Sequence, residues 1–172
     1  LERLEYRSMT PIQAQSLPLI LQGKDVIAQG KTGSGKTAAF GLGILHTLKQ
    51  AWFGTQALVL CPTRELAEQV ATELRRLARA ADNIKILTLC GGAPIRPQIE
   101  SLQHGAHIIV ATPGRLLDHI ERASVDLSGL KTLVLDEADR MVDMGFYDDL
   151  VTIVKACPIR RQTLLFSATY PD

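Results

Sequence analysis

The sequence predicts an α/β fold in which helices cover both faces of a parallel β-sheet. Six short runs rich in Val, Ile and Leu are mostly continuous rather than alternating with polar residues, which is typical of strands buried on both faces. Helical patterns separate these runs, as in parallel sheets built from strand–helix–strand units. The predicted strands are Val26–Gln29, Ala57–Cys61, Ile84–Leu89, His107–Ala111, Thr132–Leu135 and Thr163–Phe166. The predicted helices are Pro11–Leu21, Lys36–Lys49, Arg64–Ala80, Pro97–Leu102, Gly114–Glu121 and Phe146–Lys155.

The composition is typical of one globular domain. The chain has 172 residues, of which 46% are hydrophobic and 22% charged, and these values exclude a disordered or fibrous class. The formal net charge is +1, so a polyanionic partner must be bound by local sites and not by an overall positive field. No apolar run approaches the roughly 18 residues of a membrane span, and we expect no membrane partner.

The cysteine pattern indicates a reducing compartment. Cys61, Cys90 and Cys157 lie far apart and form no CxxC pair, so we expect neither a disulfide partner nor a zinc site. No signal-peptide pattern begins the chain. These features favour a cytoplasmic protein.

A glycine-rich segment between the first strand and the second helix predicts a phosphate site. Residues 30–37 read Gly-Lys-Thr-Gly-Ser-Gly-Lys-Thr and fit the P-loop pattern G-x-x-x-x-G-K-[ST]. The backbone N–H groups of Thr32, Gly33, Ser34 and Gly35 are expected to surround phosphate oxygens. Lys36 is expected to reach the β- and γ-phosphates, and the Thr37 hydroxyl to bind Mg²⁺. The same residues also fit a dinucleotide pattern, but the next strand ends without the acid that would bind the ribose.

Two consecutive acids after the fifth strand complete an ATP-hydrolysing set. Asp136 follows a buried strand directly, where a P-loop ATPase holds its metal through a carboxylate. Glu137 is then positioned to orient and deprotonate the attacking water. Acids are also common in the first turns of helices, but their occurrence together with a P-loop favours the catalytic interpretation.

The chain resembles the DEAD-box RNA helicases along its whole length. Asp136-Glu137-Ala138-Asp139 is the motif that names the family, and the family's other first-lobe motifs occur in order. They are Thr10-Pro11-Ile12-Gln13 with Tyr6 upstream, Pro62-Thr63-Arg64-Glu65-Leu66-Ala67, Gly91-Gly92, Thr112-Pro113-Gly114-Arg115 and Ser167-Ala168-Thr169. The resemblance implies a RecA-like P-loop domain that uses ATP and Mg²⁺ and binds RNA.

The resemblance also implies a role for each motif. Gln13 is expected to pair with the adenine edge and Tyr6 to stack on the base. Asp139, Ser167 and Thr169 resemble the residues that couple nucleotide state to RNA binding. The expected contacts with the RNA backbone are Pro62, Thr63, Arg64, Gly92, Thr112, Gly114 and Arg115, which carry no base information. The chain departs from the family pattern at Gly30, where Ala is usual, and at Met9, where Pro is usual.

Two further expectations concern the protein that carries this domain. Residues 1–172 are expected to form a single N-terminal RecA-like domain, because no H-R-x-x-R-x-x-R or D-x-x-R-G-x-D string of the family's second lobe occurs. That lobe would supply arginine fingers, so this stretch alone should hydrolyse ATP poorly. Stretches such as 57–68 and 107–119 resemble a bacterial member whose likeness implies large-subunit ribosomal RNA as substrate, in ribosome assembly, with a C-terminal RNA-targeting domain.

Other function classes fit the sequence less well. A nucleotide-binding module without catalysis stays open for this stretch, although Lys36, Thr37, Asp136 and Glu137 are all present. A GTPase would carry an N-K-x-D string, which the sequence lacks. A P-loop kinase would need a lid and an acceptor site, and neither is recognisable.

Overall fold

Strands and helices alternate along the chain in a computed structural model that describes residues 9–31, 35–81 and 83–168. The strands are β1 (Val26–Gln29), β2 (Ala57–Leu60), β3 (Ile86–Leu89), β4 (Ile108–Ala111), β5 (Thr132–Leu135) and β6 (Gln162–Ser167). The helices are α1 (Pro11–Leu21), α2 (Lys36–Thr47), α3 (Arg64–Leu77), α4 (Ile95–Gln103), α5 (Pro113–Glu121), α6 (Ala138–Asp143) and α7 (Tyr147–Ala156), and a 3-10 turn at Ala78–Ala80 continues α3.

The six strands form one sheet in the order β1-β6-β5-β2-β4-β3, and every neighbouring pair is parallel. All four residues of β2, β4 and β5 are buried, as the continuous apolar runs predict. The register aligns Leu58 of β2 with Leu133 of β5 and with Ile109 of β4. Parallel strands end at the same edge, so the polar segments that follow all six strands lie along one edge of the sheet.

A hydrophobic core lies on each face of the sheet. Ala57 and Val59 point to the face covered by α1, α2 and α3, where Phe40 packs against Phe166 with ring centroids 5.6 Å apart. Leu58 and Leu60 point to the opposite face, covered by α5, α6 and α7. The prediction of a parallel sheet with helices on both faces is therefore confirmed.

The structure differs from the sequence prediction at several element ends and in one helix. Strand β3 begins at Ile86 and not at Ile84, and β4 begins at Ile108, one residue after the buried His107, whose ring bonds to the backbone of neighbouring loops. Its two ring nitrogens lie 2.9 Å from the Lys85 nitrogen and 2.8 Å from the Gln50 oxygen. Helix α6 was not predicted, because its short sequence begins within the acidic motif.

Two further observations concern possible membrane-spanning helices and the cysteines. Among the helices within the described ranges, none combines the length and apolarity needed to cross a membrane. Cys61, Cys90 and Cys157 are buried free thiols. Burial raises the pKa of Cys90 to about 11, which is typical of an unreactive cysteine that fills space.

Candidate functional site

The edge of the sheet carries two adjacent sets of polar loops. The segments that follow β1, β6 and β5, which we call the P-loop half, include the described residues 30–31 and 35–37, 167–168, and 136–139, respectively. The loops after β2, β4 and β3, which we call the arginine half, contain residues 62–64, 112–115 and 91–93. Because β5 and β2 are neighbours, the two halves meet at the middle of the sheet.

A buried ion pair lies at the centre of the P-loop half. Lys36 begins α2 and is 4% exposed, and its Nζ lies 2.9 Å from Oδ1 of Asp136, which is 2% exposed. The same Nζ lies 3.5 Å from Oε2 of Glu137. Burial raises the pKa of Asp136, and the nearby Lys36 ammonium opposes that shift. The sequence prediction thus names three residues that the fold brings into contact.

Glu137 adopts a backbone conformation that is uncommon for residues other than glycine. Its φ and ψ are 54° and 52°, in the left-handed region, where a side chain costs about 1 kcal/mol. This turn directly precedes α6 and directs two successive carboxylates, those of Asp136 and Glu137, towards Lys36. Such strain is typical of a residue held in place for function.

The donor set of the P-loop half fits a hard divalent cation. The Oδ1 atom of Asp136 is buried and has no hydrogen-bond partner among the described residues beyond its ion pair with Lys36. Carboxylate and hydroxyl oxygens are the ligands that Mg²⁺ prefers. Asp136 and Thr37, the second residue of α2, both border a cavity of about 320 Å³ that Glu137 also lines. An anionic ligand there would lie near the positive end of α2.

Gln13 connects the start of α1 to the phosphate loop. Its Oε1 accepts a hydrogen bond from the Thr10 backbone nitrogen at 3.0 Å, and the Thr10 hydroxyl caps the helix in return. Its Nε2 donates to the Gly35 carbonyl at 3.1 Å. Gln13 is only 6% exposed, so its amide braces the loop in this structure. The adenine contact stays a prediction.

Gly35 is required where this brace contacts the loop. Its φ is +88°, and a Cβ atom there would lie 2.6 Å from the Thr10 Oγ1 and 2.8 Å from the Gln13 Nε2. A side chain at position 35 would therefore collide with both residues of the cap.

Five predicted site residues lie outside the described part of the chain, and the two expected coupling residues within it lie in α6 and β6. Tyr6, Thr32, Gly33, Ser34 and Thr169 lie outside the described residues. Asp139 is half-buried in the first turn of α6, and Ser167 is buried at the end of β6. The Ser167 carbonyl accepts a hydrogen bond from the Gly30 nitrogen at 2.9 Å, which joins the last strand to the P-loop. Coupling through Asp139 and Ser167 stays a prediction.

In the arginine half, the beginning of α3 lies against the glycine loop. The Thr63 hydroxyl caps α3 by accepting from the Leu66 nitrogen at 3.2 Å, and Arg64 is exposed in the first turn. Gly92 has a φ of +84°, and a Cβ there would lie 3.7 Å from Nη1 of Arg64. The fold therefore places Arg64 beside Gly92, so two of the residues expected to contact the RNA backbone are neighbours. Pro62 is buried directly before the cap.

The segment after β4 fixes the same glycine loop from the other side. The Thr112 hydroxyl accepts from the Gly91 nitrogen at 3.2 Å. Arg115 Nη1 donates to the Ala93 carbonyl at 2.7 Å. Gly114 is exposed in the first turn of α5. The predicted residues of the arginine half therefore lie at one end of the sheet, where Arg64, Gly92 and Gly114 are exposed and Pro62 and Thr112 are buried beneath them.

Sequence reasoning missed two residues that support this surface. Gln98 of α4 accepts from Arg115 Nη1 at 3.1 Å, and the buried His119 lies four residues after Arg115 on α5. That spacing puts Arg115 and His119 on one side of the helix, which is the only signal the sequence offers.

Comparison with known proteins identifies the family. A sequence model of the DEAD/DEAH box helicases matches residues 10–172. The chain belongs to the DEAD/DEAH box helicase family. It is 64% identical over 172 residues to the ATP-dependent RNA helicase DbpA of Escherichia coli strain K12, covering all of this chain and 38% of that relative. It is 52% identical over 170 residues to the ATP-dependent RNA helicase CshA of Listeria monocytogenes, covering 99% of this chain and 32% of that relative.

The fold comparison agrees with the family. The crystal structure of a DEAD box protein from the hyperthermophile Methanococcus jannaschii superposes with a TM-score of 0.93 at 43% identity, covering 99% of this chain and 46% of that chain. The expectation of a RecA-like DEAD-box domain is thereby confirmed. The chain spans 38% and 32% of the length of the two curated relatives.

Proposed function

We propose that this chain is the ATP-binding lobe of an ATP-dependent RNA helicase, in which RNA-stimulated ATP hydrolysis drives local duplex unwinding. The observation that carries the proposal is the contact of Lys36 with Asp136 and Glu137 on the sheet edge that also carries the arginine half. A P-loop lysine beside two carboxylates suits phosphoryl transfer, which requires mainly positioning and charge neutralisation.

The predicted site residues of the P-loop half, together with Gln13 and Tyr6, divide the tasks of nucleotide binding and hydrolysis. Lys36 binds the β- and γ-phosphates of ATP, together with backbone N–H groups of Thr32, Gly33, Ser34 and Gly35. Glu137 orients the attacking water and accepts its proton as the water oxygen bonds to the γ-phosphorus and the bond to the β–γ bridging oxygen breaks. The products are ADP and inorganic phosphate. Gln13 and Tyr6 recognise the adenine base in this proposal.

The same half would hold Mg²⁺. Thr37 and Asp136 are the proposed ligands, since their oxygens line one cavity and the Asp136 carboxylate is buried. Bound there, Mg²⁺ would neutralise negative charge on the phosphates. Before ATP binds, the ion pair with Lys36 compensates the charge of the buried Asp136 carboxylate. When ATP binds, Lys36 must give up this contact and bind the phosphates.

The arginine half is the proposed site for the RNA backbone. The helices α3 and α5 begin there, and their first-turn N–H groups and the Thr63 and Thr112 hydroxyls are suitable donors for phosphate oxygens. Arg64 adds an exposed guanidinium beside Gly92. Asp139, Ser167 and Thr169 would transmit the nucleotide state to this surface.

Two finer proposals concern the whole protein. We propose a second RecA-like lobe that supplies arginine fingers, so residues 1–172 alone hydrolyse ATP poorly and unwind no duplex. We also propose large-subunit ribosomal RNA as the substrate, during ribosome assembly in the cytoplasm. Support for this comes from the resemblance to a bacterial family member and from the 64% identity to E. coli DbpA.

The decisive variant for the proposed chemistry is Glu137→Gln in the full-length protein. It should bind ATP with near-normal affinity and hydrolyse it at least about a hundredfold more slowly, because the amide cannot accept the proton from water. The matched control is Asp143→Asn, which changes an exposed acid near the end of the same α6 and should hydrolyse ATP normally. A near-normal rate for Glu137→Gln would remove Glu137 from this role.

The substrate proposal needs a separate measurement. ATP turnover by the full-length protein should be stimulated more by large-subunit ribosomal RNA than by an unrelated RNA of equal length. Equal stimulation would reject the ribosomal substrate while leaving the helicase proposal intact.

A further inference from the structure

A hydrogen-bonded cluster lies directly behind the arginine half. Gln98 of α4 is at its centre, with Nε2 donating to the Cys90 carbonyl at 3.2 Å and Oε1 accepting from Arg115 Nη1 at 3.1 Å. The same Oε1 lies 2.8 Å from Nε2 of His119, whose side chain is fully buried. Ser124 closes the cluster, with its hydroxyl 2.7 Å from Nδ1 of His119.

The donors and acceptors of this cluster fix one arrangement. The Cys90 carbonyl can only accept, so the amide nitrogen of Gln98 must face it and the amide oxygen must face Arg115. His119 Nε2 must then carry a proton, since the oxygen opposite can only accept. In the neutral ring Nδ1 accepts from the Ser124 hydroxyl, which shares its proton with the His119 carbonyl at 3.1 Å. Reversing the amide of Gln98 would place donors against donors.

His119 is held in the neutral form by its surroundings. Burial and the cations Arg115 and Arg122 lower its pKa below the ordinary value, and only Asp118 acts in the opposite direction. These three charged residues and His119 all belong to α5 or the residue that follows it, while α4 faces His119 with the neutral amide of Gln98. The ring is therefore a directional hydrogen-bond donor near neutral pH.

The cluster controls the position of the glycine loop. Three bonds hold residues 90–93: Gln98 Nε2 to the Cys90 carbonyl, Thr112 Oγ1 to the Gly91 nitrogen, and Arg115 Nη1 to the Ala93 carbonyl. Gln98 makes one of these bonds itself and fixes the guanidinium that makes another. Without Gln98, Arg115 could turn away and Cys90 would keep an unpaired buried carbonyl.

We propose that Gln98 and His119 are positioning residues that set RNA affinity by holding Arg115 and the 90–93 loop in the geometry that receives the RNA backbone. The proposal rests on the proposed function, because it assumes that the arginine half binds RNA. Neither residue contacts RNA; His119 acts on Gln98, and Gln98 acts on Arg115 and Cys90. Fixing these groups before binding lowers the cost of ordering them on the RNA.

The test uses single-stranded RNA and the full-length protein, with RNA and ATP affinities measured on each variant. Gln98→Met keeps the length of the side chain but removes all three bonds, and it should weaken RNA binding about tenfold with ATP affinity within about twofold of wild type. Gln103→Met changes an exposed glutamine on the same α4 and should leave both affinities unchanged.

A pair of His119 variants separates positioning from folding. His119→Gln can place its amide nitrogen where Nε2 lies and keep the donor to Gln98, whereas His119→Asn can replace only Nδ1, which faces Ser124. Both variants disturb the buried site, so both should lower the melting temperature. Only His119→Asn should weaken RNA binding, by about fivefold.

The outcomes distinguish this inference from the proposed function. Wild-type RNA affinity in Gln98→Met, or equal RNA affinity in His119→Gln and His119→Asn, overturns the inference while the helicase proposal stands. If Gln98→Met fails to fold, the His119 pair decides the matter. If the wild-type protein binds no RNA in the presence of ATP, the proposed function fails and this inference fails with it.

Discussion

The two halves of the sheet edge are stabilised by different interactions. In the P-loop half, the buried charges of Lys36 and Asp136 compensate each other at 2.9 Å, and a strained Glu137 stands beside them. In the arginine half, hydrogen bonds to backbone atoms hold the glycine loop, and they come from the hydroxyl of Thr112, the amide of Gln98 and the guanidinium of Arg115. Its one exposed first-turn cation, Arg64, faces solvent.

This difference suits what each half binds in the proposed function. Removing one member of a buried charge pair leaves an uncompensated ion, so in that proposal Asp136 needs a new partner when Lys36 binds the phosphates of ATP. In the proposed function, a loop held by hydrogen bonds to its backbone keeps its shape when an RNA phosphate approaches, and the exposed Arg64 is available to that phosphate. The comparison predicts that charge changes affect the P-loop half most and that geometric changes affect the arginine half most.

The largest effect should come from Lys36→Met. Loss of the ammonium removes the group that neutralises the phosphates, so ATP turnover by the full-length protein at saturating RNA should fall at least about a hundredfold. The control is Lys31→Met, an exposed cation five residues earlier, which should leave turnover within about twofold of wild type. A fall of equal size in Lys31→Met would show that overall charge, and not the buried pair, matters.

Stability measurements on variants of Lys36 and Asp136 test directly whether the two buried charges compensate each other. Lys36→Met leaves the Asp136 carboxylate uncompensated at 2% exposure, and the free energy of unfolding should fall by about 3 kcal/mol. Adding Asp136→Asn should recover much of that loss, because no charge stays buried. Urea denaturation of the single and double variants checks this, and equal stability of the two would contradict the compensation.

A smaller effect is expected from Gly35→Ala. The added methyl would collide with Thr10 and Gln13 in a left-handed conformation, so ATP affinity should fall about tenfold or more and the melting temperature should drop. Gly23→Ala is the control, since Gly23 also has a positive φ of +79° but has no atom within 4 Å of the added methyl. It should lower stability by only about 1 kcal/mol and leave ATP affinity unchanged.

In the arginine half, Arg64→Ala should weaken RNA binding about fivefold without changing ATP affinity. The loss of one phosphate contact should also reduce the slope of log affinity against log salt by about 0.7 for single-stranded RNA. Arg79→Ala removes an exposed arginine beyond the other end of α3 and serves as the control. Lower ATP affinity with unchanged RNA binding would contradict the division into two halves.

The smallest effect is a pH dependence that tests whether His119, in the cluster behind the arginine half, is neutral. The folded-state pKa of His119 is lowered below the unfolded value of 6.5, so its stabilising contribution is present above pH 6.5 and is lost as the pH falls below it. Between pH 6.5 and 5.5, wild type should lose up to about 1 kcal/mol more unfolding free energy than His119→Gln. Equal losses of unfolding free energy in the two proteins would show that a residue other than His119 causes the pH dependence.

The sequence predicted the sheet and the P-loop half well because both depend on local patterns. The apolar runs predicted both ends of β1 and of β5 correctly, and the spacing from Gly30 to Lys36 identified the phosphate loop. The sequence placed Lys36 and Asp136 in one site, since the P-loop follows β1 and Asp136 follows β5 of the same parallel sheet, but their direct contact was not predicted.

The remaining features depend on contacts between distant segments. Gln98 and His119 are joined across 21 positions of sequence, and nothing in the pattern around Gln98 indicates a partner. The hydrogen bond from Gln13 to Gly35 was missed for the same reason, because it spans 22 positions. Helix α6 was not predicted, because its six residues overlap the acidic motif.

The most direct test of the account is ATP turnover by the full-length protein with and without single-stranded RNA. If the P-loop half hydrolyses ATP and the adjacent arginine half binds RNA, saturating RNA should raise turnover at least about tenfold, equivalent to roughly 1.4 kcal/mol of transition-state stabilisation. Arg64→Ala should reach the same maximal rate at a higher RNA concentration. Turnover that does not change with RNA would contradict the account.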